Sequence, residues 1–203
     1  MQTSPHRPRP ILIPAIAAAS LVGALLTQSP AFAHTGHGSA GLAAGVSHPL
    51  LGPDHLMAML AVGIVAALAS SRRTAILTPM AFLLGMIGGG CLGLAGVTLP
   101  AAGVVLALSL TCLGAVCIAS FRRTTPALPV AALMFGMAHG HAHGTELPMS
   151  ASPVAYVIGF ILASAALHIL GAAIGLLLRR SPQLRIASGT LLSTTGLALL
   201  LGL

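Results

Sequence analysis

From residue 42 onward the chain is a succession of long apolar runs joined by short polar segments, at about 42–70, 75–96, 101–120, 127–146, 153–178 and 184–203. An α-helix rises about 1.5 Å per residue, so roughly 20 apolar residues cross a bilayer's hydrocarbon layer. Each run meets that length, and six transmembrane helices are predicted. Pro100, Pro126, Pro153 and Pro182 stand at run edges, where a missing N–H costs a helix least. The first run is not uniform. In "HPLLGPDHLMAML" (48–60), Pro49, Gly52 and Pro53 predict a short helix ending near His48, a turn, and a second helix starting near Pro53. Broken helices are tolerated at membrane depth where they line a cavity or lie buried in protein. The predicted fold is an all-α polytopic membrane bundle whose first helix is broken near Pro49–Pro53.

The segment before these runs has a different pattern. Arg7 and Arg9 precede the apolar stretch "ILIPAIAAASLVGALL", and "AFA" at 31–33 has the small-x-small form of a cleavage site. Residues 1–33 therefore read as a cleavable signal peptide and 34–203 as the six-helix domain. Cleavage leaves a mature chain beginning "HTGHG" outside the cytoplasm.

Composition supports the membrane assignment. The chain is 56% hydrophobic and 5% charged, against roughly a quarter charged in soluble domains. The nine basic residues are all arginine and occur mostly as the pairs Arg72–Arg73, Arg122–Arg123 and Arg179–Arg180. These pairs follow the first, third and fifth runs, so alternating spans place them on one side, which the positive-inside rule makes cytoplasmic. Both mature termini then face outward, as the signal peptide independently requires. With one Tyr and no Trp, the chain nearly lacks the stacking platforms of a nucleic-acid binder. Cys91, Cys112 and Cys117 lie inside apolar runs without CxxC spacing and read as small hydrophobes.

Only two residues are acidic, Asp54 and Glu146, and each lies beside histidines. An ionisable group at the centre of a membrane helix costs about 2.5–3.5 kcal/mol on insertion scales, and such groups usually bind or relay something. His48, Asp54 and His55 have the spacing H-x5-D-H, with Asp54 in the first turn of the predicted second helix, near its positive end. In "MAHGHAHGTELP" (137–148), His139, His143 and Glu146 fall within about 60° around a helix axis and form one stripe. Gly140 and Gly144 flank that stripe and admit a close neighbour, as small residues at four-residue spacing do in membranes. If the two segments meet at the outward ends of their spans, six candidate ligands converge. Imidazole and carboxylate without sulfur suit Ni2+, Co2+ or Zn2+ better than Cu+.

The other histidines leave alternatives open. His141 points away from the stripe, either lining the mouth or resting among headgroups. His34 and His37 flank the predicted new N-terminus, which is either a metal-capturing amine–imidazole pair or a polar leader. His168 lies some fifteen residues into the fifth run, roughly 22 Å deep, as a relay below the mouth or a hydrogen-bonded core histidine. No clear sequence repeat is present. The two His-rich segments fall in the first and fourth runs, equivalent places if the bundle is two three-helix halves.

The motifs resemble the HupE/UreJ family of nickel and cobalt permeases. "HPLLGPDHLMAMLAVG" (48–63) matches the family's first-helix pattern H-P-x-x-G-x-D-H-[LM]-x-A-M, and "HGHAHGTE" (139–146) matches H-G-x-A-H-G-x-E. The chain departs from the pattern at Ala138 and His141, where relatives commonly carry aromatic residues. The resemblance implies import of Ni2+ or Co2+ across the bacterial inner membrane, with His48, Asp54, His55, His139, His143 and Glu146 as metal ligands. It does not imply catalysis or a resident cofactor. With no lysine the chain has no Walker motif, and transport would be secondary. Inward movement of a dication gains about 4.6 kcal/mol per 100 mV of inside-negative potential, twice the single-charge value. The partners on this reading are the metal ion, the lipid bilayer, a second copy of the chain, and downstream metallochaperone or metalloenzyme maturation proteins. An intramembrane metalloenzyme and a metal sensor or chaperone are the competing classes; the first lacks H-E-x-x-H.

Overall fold

In a computed structural model the described residues are 39–119, 127–147 and 152–203. The predicted signal peptide, His34, His37 and the Arg122–Arg123 pair lie outside them. The described residues form seven α-helices and no strand: α1 (Ser39–Leu51), α2 (Pro53–Leu68), α3 (Arg72–Leu94), α4 (Ala102–Ala119), α5 (Ala127–Thr145), α6 (Pro153–Leu178) and α7 (Pro182–Leu201). Proline opens α2, α6 and α7 at positions where an N–H would have no partner. The Ser71 hydroxyl caps α3 by accepting from the Thr74 N–H at 3.1 Å.

The break in the first run is present, with α1 and α2 meeting at 81°. It falls at Gly52, and α2 starts at Pro53 as expected, while α1 ends three residues later than His48. α1 runs through His48 and Pro49 to Leu51, because a proline in the last turn forfeits only one helical bond. The Gly52 N–H still reaches the His48 carbonyl at 3.3 Å, and extended backbone at Gly52 then turns the chain.

By length and composition α3, α4, α6 and α7 can cross a membrane, and the bent α1–α2 pair makes a fifth span if it acts as one. α5 has 19 residues, but its three histidines dilute it below that composition. Large apolar side chains such as Leu84, Leu162 and Ile169 stand more than half exposed around the bundle, a surface suited to acyl chains rather than water.

Three tight associations build the bundle: α6 against α1 and α2, α3 against α5, and α4 against α7. α2 is central, also touching α3 and α4, and its Ala58, Met59, Ala61 and Val62 are fully buried. The seams are closed by glycines whose missing Cβ lets backbones touch. These contacts repeat. A Cβ on Gly63 would strike the His168 carbonyl, and one on Gly136 the Phe82 carbonyl. Gly171 abuts the Leu60 carbonyl as Gly85 abuts that of Leu133, and Gly175 meets Ile64 as Gly89 meets Met137. Gly114 packs on Gly189 and Ser193 as Gly196 packs on Ala107 and Thr111. Every α2 residue in this series is matched 73 positions later on α5 (Leu60 with Leu133, Gly63 with Gly136, Ile64 with Met137). α3 is matched 86 positions later on α6, and α4 82 positions later on α7 (Phe82 with His168, Gly114 with Gly196).

The described bundle is thus two matched halves, α1–α4 and α5–α7. The start of α2 lies beside the end of α5, through His55 and His139, so matched helices run in opposite directions. The relation is a pseudo-twofold axis perpendicular to the helices, an inverted repeat. Inversion corrects the equivalence drawn from the sequence. His55 matches Leu128 and His139 matches Ala66, so the two His-rich segments are not symmetry mates. They come together because one opens α2 and the other closes α5.

Candidate metal centre

The site occupies the end of the bundle where α1 breaks into α2, α5 finishes and α6 begins. The opposite end holds Arg72 and Arg73 at the start of α3, and Arg179 and Arg180 after α6. The Arg179 guanidinium donates to the Ala69 carbonyl at 2.9 Å, bringing those two pairs to one end.

His143 is the hub. Its ring centroid lies 4.2 Å from that of His55 and 4.6 Å from that of His48. It is buried, and neither ring nitrogen has a hydrogen-bond partner. His55 in turn lies 5.3 Å from His139. One potential ligand atom from each of His48, His143 and Glu146 can be chosen so that all lie within 4.8 Å of one another. The His48 Nε2 stands 3.4 Å from a Glu146 carboxylate oxygen.

Two imidazoles are oriented by partners behind them. His55 Nδ1 lies 2.9 Å from the Asp54 carboxylate, and His139 Nδ1 lies 2.9 Å from the Phe135 carbonyl. Since those oxygens only accept, each Nδ1 carries a proton, which in a neutral ring leaves the lone pair on Nε2. The His55 Nε2 is buried without a partner. A carboxylate or carbonyl behind an imidazole is the usual arrangement around metal-binding histidine.

The side chains divide into three settings. His48, His55, His139 and His143 are brought together with Glu146. Asp54 touches this group through His55, while also lining a cavity of about 310 Å³ formed with α4 and α7 by Val104, Ala107 and Leu199. His141 is buried, and its Nε2 donates to the Val97 carbonyl at 2.6 Å, tying α5 to the segment after α3. His168 is buried deeper, apart from the cluster, and among the described residues no protein group hydrogen-bonds either of its ring nitrogens.

The sequence reading did not include the aromatic walls. Phe160 lies 4.1 Å from His143 with the rings tilted at 54°, Tyr156 lies 5.9 Å from His48, and Phe82 lies 5.3 Å from His139. A signal existed: the chain has one Tyr and five Phe, and Tyr156 and Phe160 share a helix face with Ser164 and His168. Between α3, α5 and α6, a narrow apolar crevice lined by Met86, Cys91, His143 and Tyr156 adjoins the cluster.

No solved structure matches the chain. The family model described as HupE / UreJ protein matches residues 22–199. Protein HupE of Rhizobium leguminosarum bv. viciae is 38% identical over 187 residues, covering 89% of this chain and 95% of that protein. The inward-turned imidazoles and the match along nearly the whole chain lead to one assignment: this multi-pass membrane protein belongs to the HupE/UreJ family.

Proposed function

We propose that the protein is a secondary importer of Ni2+ or Co2+, with no enzymatic step. The observation that carries the reading is the group of buried His55, His139 and His143 and half-buried His48, with Glu146 beside it and Asp54 behind it. A fold that only needed packing would not assemble four imidazoles and both of its carboxylates at one end, given what such groups cost in a membrane. Nε2 of His55 and His139, a nitrogen of His143, His48 and Glu146 offer a nitrogen–oxygen set suited to a first-row dication. Glu146 and Asp54 offset the ion's charge as it loses water.

On this reading α5 is the sixth span, its polar end lining the site rather than facing lipid. The arginine end is cytoplasmic, so the site and both mature termini face outward from a bacterial inner membrane after removal of residues 1–33. His34 and His37 of the new N-terminus would then lie on the capture side. Partners would be the bilayer, a second copy of the chain and a cytoplasmic metallochaperone or maturation protein that takes up the ion.

Radiometal accumulation in cells tests the proposal. Wild-type protein should accumulate 63Ni2+ or 57Co2+, each competing with the other and Zn2+ competing less well, while His143→Ala should abolish uptake. Binding without flux would make the protein a sensor or chaperone, and turnover of a lipid or peptide by purified protein would make it an enzyme.

A further inference from the structure

The outer cluster leaves unexplained the polar groups at the middle of the bundle. His168 is 4% exposed and Ser164 is fully buried, and neither ring nitrogen of His168 nor the Ser164 hydroxyl has a partner. Buried polar groups are nearly always satisfied, and leaving one unmade is expensive. Three orphaned atoms on one turn of α6 therefore imply an occupant that supplies the missing bonds.

The inverted repeat gives this turn a special position. Phe82 and His168 are symmetry mates, 86 residues apart, and their rings are in contact at 5.4 Å. Equivalent groups touch only on the axis that relates them. The axis also passes Thr111 and Ser193, another matched pair, where the Ser193 hydroxyl donates to the Thr111 carbonyl at 3.1 Å. His168 thus lies at the midpoint between the two ends of the bundle, where inverted-repeat transporters hold substrate. Only one of the two mates is an imidazole.

The outer cluster leads to this point. Phe160, Ser164 and His168 follow at four-residue spacing down one face of α6, with Phe160 against His143. Eight residues of helix put His168 about 12 Å below Phe160. Between the levels stands Phe82, whose ring contacts His139 above at 5.3 Å and His168 at 5.4 Å.

We propose that His168 and Ser164 form a second, central metal station on the pseudo-twofold axis, which Phe82 separates from the outer cluster. This deepens the importer reading and rests on it. An imidazole nitrogen and a hydroxyl make a poor permanent cage, so a dication there keeps water in its other positions. A transit site needs that weakness, because an ion held too well does not leave.

The test uses the full chain with Ni2+ alone as probe, in detergent for binding and in proteoliposomes for flux. Saturated wild type should bind two ions per chain and His168→Phe one, with affinity at the outer cluster unchanged. His168→Phe copies the symmetry mate and keeps an aromatic ring, yet should lower uptake by at least about tenfold, the scale of losing a metal-supporting group. His168→Cys restores a donor atom and should recover most of that uptake. Equal ion counts in wild type and His168→Phe would overturn the station, as would full uptake by His168→Phe. A His168→Cys protein as slow as His168→Phe with the outer cluster intact would assign His168 to packing and also overturn it. If wild type moves no ion at all, the importer reading fails, and the count of two against one still judges the station.

Discussion

Removing the Asp54 carboxylate distinguishes an acid that binds metal from one that holds a ligand in place. Asp54 sits 2.9 Å from His55 Nδ1, on the side of the ring away from Nε2, and reaches the imidazole cluster only through that ring. Loss of such a supporting partner typically costs 10–100-fold in metal affinity, about 1.4–2.8 kcal/mol at about 1.4 kcal/mol per tenfold. Asp54→Ala should therefore weaken Ni2+ binding by that amount. Asp54→Asn should lose less, since an amide oxygen can still accept from Nδ1–H. The decisive comparison is a double-mutant cycle. If Asp54 acts through His55, Asp54→Ala in a His55→Ala background should cost almost nothing further, and the coupling energy should approach the whole single-mutant effect. Isothermal titration with Ni2+ of the four purified proteins in detergent measures it. Additive losses, with Asp54→Ala costing its full amount even without His55, would refute the reasoning and make Asp54 a direct ligand.

His141→Ala and His143→Ala should separate two neighbours of one helix. The first loses a buried hydrogen bond, lowering stability by about 0.5–1.5 kcal/mol with Ni2+ affinity unchanged; the second loses the hub of the cluster and at least about 100-fold in affinity. Titration and thermal melts on both proteins check this, and a metal defect in His141→Ala would contradict the tie to Val97. Gly136→Ala and Gly63→Ala are symmetry mates and should be similarly harmful. Each forces a Cβ against a carbonyl of the facing helix, with an overpacking cost of about 1–3 kcal/mol that melting in detergent would register; a wild-type melting temperature for either would show that the seam is looser than described. In proteoliposomes, inside-negative potential should drive Ni2+ accumulation, each 100 mV contributing about 4.6 kcal/mol for a double charge. Uptake indifferent to a clamped potential would require another driving ion.

Much of the site was legible because its residues are expensive. Asp54 and Glu146 are the chain's only acids, and their placement beside histidines marked both segments before any packing was known. The His139–His143–Glu146 stripe follows from helix geometry alone, and the kink follows from Pro49, Gly52 and Pro53. His141 was harder. Helical spacing turned it away from the stripe, but only the packing of α5 on α3 provides the Val97 carbonyl that it meets. Phe82 and His168 were illegible as a pair, being 86 residues apart on different helices with no spacing rule to link them.

The amino-acid order by itself determined where helices run, where one breaks, and which side chains are too costly to face lipid without purpose, because those are one-dimensional consequences of hydropathy, proline and helical period. The tertiary structure alone decided that Asp54 stands behind His55 rather than beside Glu146, and that an inverted repeat sets His168 at the midpoint of the bundle. Helices in lipid associate through close backbone contact, and the glycines that permit it mark a surface without naming its partner. Which seams closed against each other, and so which polar groups met, was settled only when the whole bundle packed.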